Sequence, residues 1–311
     1  MSRILVVGGN GFIASHLVAM LADSGQHGVT VFDLYPPAYG ALPAGVTFVQ
    51  GNLADASLVH RTLEDQAVEV VYHAAWSTIH ETALNDPAAD IETNLVSSVR
   101  LLEACRYAGV KRVVFISSGG TVYGLPRSLP VREDHPTNPI NAYGVTKLAV
   151  EKYLQMHSYL YGLEYVIFRP SVPYGPRQNP HRRQGAVAVF VDRALRGTPV
   201  TIWGNGEVLR DYFYVEDMTR ALVAALDLPF TPDAIFNLAG MQAYTLNQLV
   251  QVIEETLGVT LQVRYELARK FDVPRLRLDI SAASEKLGWR PTIPLPEGIQ
   301  RTAAWIQKWI D

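Results

Sequence analysis

Short apolar runs alternate with longer helical patterns through the first half of the chain, and this alternation most constrains the fold. The runs are rich in β-branched residues and cover residues 4–7, 29–33, 46–50, 68–73, 113–117 and 165–169. Continuous apolar strands separated by helices are typical of a parallel sheet that is covered on both faces. The sequence therefore predicts an α/β fold with a doubly wound parallel sheet.

The texture of the sequence changes after Pro170. Proline and glycine interrupt the segments SVPYGPRQNP, GTPV and WGNGE, and helices no longer alternate regularly with strands. Strand-like runs at 210–215 and 234–239 are expected to return to the sheet, and a helix at about 299–310 ends the chain. We predict a larger domain formed by 1–169 and 209–240, and a second, smaller α/β domain formed by 170–208 and 241–311.

Charge and composition exclude several classes of protein. The 311 residues include 27 Lys and Arg against 30 Asp and Glu, so the formal charge of −3 provides no global field for nucleic acid or an acidic membrane. No stretch approaches the roughly 18 apolar residues of a membrane span, and the N-terminus runs directly into a strand without the features of a signal peptide. Cys105 is the single cysteine, which fits a reducing compartment. We expect a cytoplasmic protein without a metal site, because the eight histidines show no metal-ligand spacing with carboxylates.

A glycine-rich turn follows the first strand and opens a helix. Gly8 allows the tight turn, Gly11 lets the backbone approach a pyrophosphate, and the small Ala14 permits close packing of the helix on the sheet. The alternative is a plain turn without a ligand. The context of strand, turn and helix favours a dinucleotide site of the Rossmann type.

Asp33 ends the second strand, about twenty residues beyond this turn, where a carboxylate can accept hydrogen bonds from the adenosine ribose. The same carboxylate would repel a 2′-phosphate, and the residues that follow it, Leu34 to Pro37, include no arginine. We therefore predict NAD rather than NADP. The alternative is an exposed aspartate that starts a turn before Pro36.

Tyr143 and Lys147 are separated by four residues in the segment NAYGVTK, so on a helix they share one face. The ammonium of Lys147 is expected to lower the pKa of the Tyr143 phenol, which would then act as a base toward a sugar hydroxyl. Tyr107 and Lys111 have the same spacing, but Gly109 and Val110 lie between them and no hydroxyl-rich strand end precedes them. Only the pair at Tyr143 has the context of a reactive site.

With these motifs the chain resembles the extended short-chain dehydrogenase/reductase family, in particular nucleotide-sugar epimerases similar to UDP-glucose 4-epimerase. The similarity covers nearly the whole chain. Its main segments are GGNGFIAS, GNLAD, VVYHAA, ISSGGTVYG, NAYGVTK, FRPSVPYGPRQ, LRDYFYVED and LDISAASEKLGW.

The resemblance implies a role for specific residues. Tyr143 is the general acid/base, and Lys147 binds the nicotinamide ribose and tunes Tyr143. Arg210 and Arg269 match positions that bind the nucleotide phosphates; the alternative for each is a surface ion pair, for example between Arg210 and Asp211. The remaining cofactor contacts that it implies are the backbone amides of Phe12 and Ile13, Asn52 and Leu53 at the adenine, and His73, Ala74, Ala75, Asn94, Ser117 and Pro170.

Three positions depart from the family pattern. Gly119 stands where the family often carries a serine or threonine that binds the reacting sugar oxygen, and either Ser118 or Thr121 could replace that hydroxyl. Asn52 replaces the usual aspartate near the adenine. Val172 stands at a substrate-binding position that is commonly asparagine, which affects the substrate pose more than the chemistry.

The residues before ValTyrGly separate the possible reactions. Sugar-nucleotide 4,6-dehydratases typically carry Asp and Glu there, whereas this chain has Gly120 and Thr121, so an acid for dehydration is missing. We predict C4 epimerisation of a nucleotide sugar, with a UDP-hexose favoured, through a transient 4-keto intermediate. The alternatives are an NAD(P)H-dependent reductase of a 4-keto sugar nucleotide and a cofactor-binding protein without catalysis.

The family also implies a homodimer. Its interface would combine the helix that bears Tyr143 with the helix at about 90–107. The apolar residues Leu95, Val99, Leu102, Leu148 and Leu154 allow such an interface, but they could instead face the sheet.

Overall fold

The computed structural model describes residues 1–78, 80–182, 185–269 and 273–308. The strands are β1 (Arg3–Val7), β2 (Gly28–Asp33), β3 (Thr47–Gln50), β4 (Val70–His73), β5 (Arg112–Ile116), β6 (Glu164–Pro170), β7 (Val172–Tyr174), β8 (Val200–Trp203), β9 (Leu209–Arg210), β10 (Tyr212–Tyr214), β11 (Ile235–Leu238), β12 (Tyr244–Thr245) and β13 (Val263–Glu266).

The described residues form eleven α-helices, which alternate with the strands in the first half of the chain. They are α1 (Phe12–Asp23), α2 (Ala56–Asp65), α3 (His80–Asn85), α4 (Pro87–Asp90), α5 (Ser97–Tyr107), α6 (Ala142–Tyr161), α7 (Ala186–Arg196), α8 (Val215–Ala224), α9 (Leu246–Leu257), α10 (Ser281–Leu287) and α11 (Leu295–Gln307). A π-helix (Ile91–Val96) joins α4 to α5, and a short 3₁₀ helix covers Pro180–Arg182. The predicted last helix agrees with α11 up to Gln307, and positions 309–310 lie outside the described residues.

Within the described residues, seven parallel strands form the main sheet in the order β11-β6-β5-β4-β1-β2-β3. The chain moves outward from β1 to β3 on one side, then returns to continue from β4 on the other side. The order therefore reverses between β1 and β4, and such a switch point is where open α/β sheets bind their ligands. The doubly wound fold is confirmed.

Alternation along β1 explains why both faces of the sheet are covered. Ile4 and Val6 belong to an apolar cluster with α1 and α8, whereas Leu5 and Val7 belong to a second cluster with α2, α5 and α6. Successive side chains of a strand point to opposite faces, so an uninterrupted apolar strand needs a helical layer on each side. This packing fixes the ends of β1 and β4, where the site lies.

Only one of the two later runs joins the main sheet. The run at 234–239 forms β11 and pairs with β6, as predicted, but the run at 210–215 supplies β10, which pairs with β7 in a separate two-stranded sheet. The expectation that 210–215 returns to the main sheet was wrong, because β11 already occupies the free edge of β6.

The second region has a core of its own, built by α7, α9 and α11 around the parallel pair β8 and β13. Ala283 on α10 and Trp289 nevertheless belong to the first cluster, under the main sheet. The domain boundaries proposed from the sequence stay a prediction. No helix in the described part of the chain is long and apolar enough to cross a membrane.

Candidate active site

The glycine turn lies against the end of β4. Gly8 has φ 79°, and a Cβ atom built on it would lie 2.6 Å from the Cα atom of Ala75. The amide of Gly11 donates to the carbonyl of Gly8 at 3.0 Å, and Gly11 then begins α1 as its N-cap residue. A side chain at Gly8 would push the turn off the strand, so glycine is required there.

The start of α1 fits the pyrophosphate of a dinucleotide. No side chain among the described residues caps this helix, and the first-turn amides of Phe12 and Ile13 have no partner one turn earlier in the helix. Such amides bind anions, and the helix dipole adds to the attraction. The chain thus offers a cradle in which a phosphate group can be held by backbone alone.

Asp33 supports the turn from the neighbouring strand. One carboxylate oxygen accepts from the amide of Asn10 and the other from the amide of Tyr35, both at 3.0 Å. A carboxylate has further lone pairs, so these bonds leave room for ribose hydroxyls. Asn52, at the adenine position implied by the resemblance, is exposed, its Oδ1 accepting from the amide of Ala54, and Leu53 packs against the second cluster.

The segment after β4 is fixed by a buried carboxylate. Asp90 accepts hydrogen bonds from Thr78 Oγ1, Asn94 Nδ2 and Thr146 Oγ1, and it is fully buried. Asn94 Oδ1 in turn accepts from the amide of Ser77 at 3.0 Å. Asp90 precedes the π-helix, an element that is frequent at functional sites. The side chain of Asn94 therefore holds this segment in place, and its contact with the cofactor stays a prediction.

His73 ends β4, and Ala74 and Ala75 follow it at the cleft, which lies between the ends of β1, β4 and β5. His73 is buried with Nε2 2.7 Å from Ser98 Oγ, and burial, together with the nearby charge of Lys147, lowers its pKa to about 3. Neutral His73 therefore lines the wall without adding charge. The amide of Ala74 donates to Val7 in β1, which keeps this strand end next to the glycine turn.

Tyr143 and Lys147 meet in the same cleft, on the first turns of α6. The Lys147 ammonium lies 5.8 Å from the centre of the Tyr143 ring and donates to the carbonyl of Ile116 at 2.7 Å. Lys147 is buried and Tyr143 is half-buried. The shared helix face predicted from the spacing is present, and it points into the cleft beside β4 and β5.

The expected effect of Lys147 on the phenol is not found in the chain alone. Burial raises the pKa of Tyr143 above its ordinary value, and the charge of Asp90 raises it further. Burial also lowers the pKa of Lys147 well below its ordinary value, while Glu151 and Asp90 oppose that change. The prediction that the lysine lowers the phenol pKa was wrong for the protein by itself, since burial and the charge of Asp90 both raise that pKa.

The chain is similar to known proteins in sequence and in structure. Residues 4–239 match the model of the NAD dependent epimerase/dehydratase family. The chain belongs to this family. A UDP-glucose 4-epimerase of Mycolicibacterium smegmatis is 37% identical over 310 residues, which cover 98% of each chain.

Solved structures agree over nearly the full length. A UDP-glucose 4-epimerase of Thermotoga maritima, crystallised with UDP-glucose, is 36% identical with a TM-score of 0.93, covering 99% of this chain and 100% of that one. The enzyme of Thermus thermophilus in complex with NAD is 35% identical with a TM-score of 0.91, covering 98% of this chain and 99% of that one. The resemblance to the epimerases is confirmed, and so is NAD as the cofactor of the family.

Gly119 departs from the family pattern for a reason that packing makes clear. A Cβ atom at Gly119 would lie 2.5 Å from Leu278 Cδ1 and 2.7 Å from the carbonyl oxygen of Arg169. Any side chain would force the loop off β6, so a serine or threonine does not fit here. Ser118 is half-buried at the cleft, whereas Thr121 is 1% exposed and packs against Gly144. Ser118 is thus the more accessible hydroxyl.

Ser117 and Pro170 lie behind the cleft. Ser117 is buried and donates to Glu151, and the carbonyl of Pro170 accepts from the amide of Gly119. Their contacts with the cofactor stay predictions, and both contribute to the shape of the loop that carries Ser118.

A buried ion pair behind the site was missed from the sequence. Glu151 receives two hydrogen bonds from Arg169, at 2.6 and 3.1 Å, and Arg169 also donates to the Tyr123 hydroxyl at 2.9 Å. Glu151 lies four residues beyond Lys147, so the repeat of Tyr143, Lys147 and Glu151 along one helix face was a signal that could have revealed it. The pair anchors α6 to β6.

The substrate residues expected after Pro170 lie on short strands or, for Arg269, in the loop after β13. Val172 is half-buried on β7, opposite Tyr212. Arg210 is half-buried on β9, and the Arg269 guanidinium carbon lies 4.2 Å from the centre of the Trp203 ring. Asp211, the alternative partner of Arg210, is buried and accepts from Ser171 and from the amide of Leu278. Phosphate binding by the two arginines stays a prediction.

Proposed function

We propose that the protein is an NAD-dependent UDP-sugar 4-epimerase. The observation that carries the proposal is the position of Tyr143 and Lys147 in one cleft with the glycine turn. Gly8 lies against Ala75, and the next residue, Trp76, contacts both Tyr143 and Lys147. The relatives named above are UDP-glucose 4-epimerases, one solved with NAD and one with UDP-glucose.

The chain's own groups account for the proton transfers. Tyr143 takes the proton of the sugar C4 hydroxyl as hydride leaves C4, and it returns the proton to the same oxygen when hydride re-enters on the other face. Bound NAD would supply the hydride acceptor, and its positively charged nicotinamide would favour the phenolate form of Tyr143, which burial and Asp90 disfavour in the chain alone. Ser118 donates a hydrogen bond to the reacting oxygen in place of the missing residue at Gly119, with Thr121 as the alternative donor.

The nucleotide must be held while the sugar turns. Arg210 and Arg269 are the candidate anchors for the diphosphate, because guanidinium groups bind phosphate oxygens in bidentate fashion. The reaction needs no carboxylate at Gly120 or Thr121, and the absence of one there disfavours dehydration.

The experiment is a mass-resolved turnover panel with UDP-, dTDP- and GDP-sugars in the presence of NAD, together with parallel reactions that contain a 4-keto sugar nucleotide and added NADH, whose absorbance is monitored. We expect interconversion of a C4 epimer pair such as UDP-glucose and UDP-galactose without net consumption of NADH. Stoichiometric loss of NADH with a keto sugar would support the reductase instead. Inert protein that still binds NAD would support a binding role without catalysis.

We further propose that the protein acts in the cytoplasm as a homodimer. Leu102 and Leu154 are buried in the second apolar cluster, so they face the chain's own core rather than a partner. Other apolar residues on α6 are exposed along one face, namely Val145, Met156 and Tyr159. A second copy packed on this face would cover them, and sedimentation of a monomer at micromolar concentration would contradict the proposal.

A further inference from the structure

Trp76 contacts both proposed catalytic side chains, and it lies just outside the segment VVYHAA. Its ring centre is 3.6 Å from the Lys147 ammonium nitrogen. The same ring meets the Tyr143 ring edge to face, with centres 5.9 Å apart and an angle of 69° between the planes. One side chain therefore contacts both members of the pair.

The contact with Lys147 has the geometry of a cation–π interaction. A cation within about 6 Å of a ring centre is attracted to the face of the ring, and tryptophan gives the strongest attraction of the aromatic side chains. The ammonium has the Ile116 carbonyl on one side and the rings of Trp76 and Phe115 around it. These contacts favour the charged form of a lysine that burial would otherwise drive toward the neutral amine.

The backbone on both sides of Trp76 is held firmly. Before it, Ala75 lies against Gly8 of the glycine turn. After it, the amide of Ser77 donates to Asn94, and Thr78 donates to the buried Asp90. Asp90 also accepts from Thr146, one residue before Lys147. The backbone on each side of Trp76 is thus held against elements that carry the site.

We propose that Trp76 is a positioning residue for the pair, in which the indole face holds the Lys147 ammonium and the indole edge sets the orientation of the Tyr143 ring. This inference rests on the proposed function for its effect on turnover. Its effect on cofactor binding is independent of turnover, because Lys147 is expected to contact the nicotinamide ribose.

Other groups also act on Lys147, and the test must account for them. Glu151 and Tyr143 face it from α6, Asp90 from the end of α4 and His73 from β4. Among these, Glu151 and Asp90 stabilise the ammonium, whereas His73 is neutral. Replacing Trp76 with another uncharged side chain adds no charge to this set and removes neither carboxylate.

The test compares Trp76→Leu with Trp76→Phe. Leucine keeps apolar volume but removes the ring face, and phenylalanine keeps a face. We expect Trp76→Leu to lower kcat about tenfold with KM for UDP-glucose within about twofold, and Trp76→Phe to keep kcat within about threefold. The alkaline limb of the kcat profile moves to lower pH in Trp76→Leu, because the ammonium loses a stabilising contact and its pKa falls.

A double-mutant cycle with Lys147→Met provides a readout without turnover. NAD binding is measured by calorimetry in the wild type, Trp76→Leu, Lys147→Met and the double variant. We expect Trp76→Leu to weaken binding about fivefold in the wild-type background and less than about 1.5-fold in the Lys147→Met background. Equal weakening in both backgrounds would overturn the proposal, because the indole would then act on the cofactor without the lysine.

Two controls separate this result from other failures. Trp305→Phe, on α11 beside Tyr39, is expected to leave kcat and NAD binding unchanged. If Trp76→Leu does not fold, as judged by circular dichroism, Trp76→Phe and Trp76→Tyr enter the cycle instead. Each must then weaken NAD binding less in the Lys147→Met background than in the wild-type background. If the wild type turns over no sugar nucleotide, the proposed function fails, while the binding cycle still decides the role of Trp76.

Discussion

The polar residues of interest are buried in the first region of the molecule and more exposed in the second. In the first region the groups around the candidate reactive pair are buried and joined in networks, with Asp90 and Glu151 each completely inaccessible. After Pro170, by contrast, the expected phosphate ligand Arg210 lies on the two-residue strand β9, and Arg269 lies over the ring of the exposed Trp203. From this difference we expect the buried networks to preorganise the reactive pair and the more open surface to hold the substrate.

Removing the phenol oxygen of Tyr143 tests whether the buried first region carries the chemistry. Tyr143→Phe is expected to lower kcat about 1,000-fold, because the general acid/base is lost while the ring packing on Trp76 remains. Turnover of UDP-glucose and calorimetric binding of NAD measure the two effects. Retention of more than about a tenth of the wild-type kcat would show that the buried region does not carry the chemistry.

Removing one member of the buried ion pair tests whether the first region depends on its network. Glu151→Gln is expected to lower the free energy of unfolding by about 3 kcal/mol, since Arg169 is left buried without a counter-charge. Urea denaturation measures the change. The exposed pair of Glu297 and Arg301 offers a control, and Glu297→Gln should change stability by less than about 0.5 kcal/mol. Equal effects of the two variants would remove the distinction between buried and exposed charges.

Replacing Arg210 tests whether this arginine binds the diphosphate of the substrate. Arg210→Ala is expected to raise KM for UDP-glucose about 30-fold with little change in kcat, because a charge-assisted contact with the diphosphate is lost in ground and transition state alike. Arg264→Ala, on the exposed face of β13, is the matched control and should leave KM unchanged. A loss of kcat at constant KM would place Arg210 in the chemistry instead.

The smallest expected effect distinguishes the two candidate hydroxyls. Ser118→Ala should lower kcat about tenfold, whereas Thr121→Val should lower it less than about threefold, because Ser118 is the more exposed hydroxyl of the two. Steady-state kinetics with UDP-glucose compare them. The reverse order would assign the hydrogen bond to the reacting oxygen to Thr121.

Features that depend on residues close together in the sequence could be predicted, whereas features that depend on distant residues could not. The strands of the main sheet and the face shared by Tyr143 and Lys147 follow from local patterns of two and four residues, and they could be predicted. The pairing of β10 with β7 could not, because it depends on which strand takes the free edge of β6. Local spacing also misled on the pKa of Tyr143, since burial is a property of the whole fold.

The site residues that the sequence did not predict were missed for one shared reason. Asp90 and Trp76 are far in sequence from Tyr143, and only the packing of the segment after β4 against α6 brings them together. The steric reason for Gly119 likewise lies in Leu278, more than half the chain away. The family resemblance supplied the roles of aligned residues, but it carried no information on these contacts.

In the proposed mechanism, Tyr143 serves a hydride transfer that begins and ends at C4 of the same sugar. The most direct measurement is the fate of deuterium placed at C4 of UDP-glucose, followed by mass spectrometry and NMR during incubation with the enzyme and NAD. We expect UDP-galactose that retains the deuterium at C4, with no accumulation of NADH. Loss of the label to solvent, or its recovery in free NADH, would contradict the account.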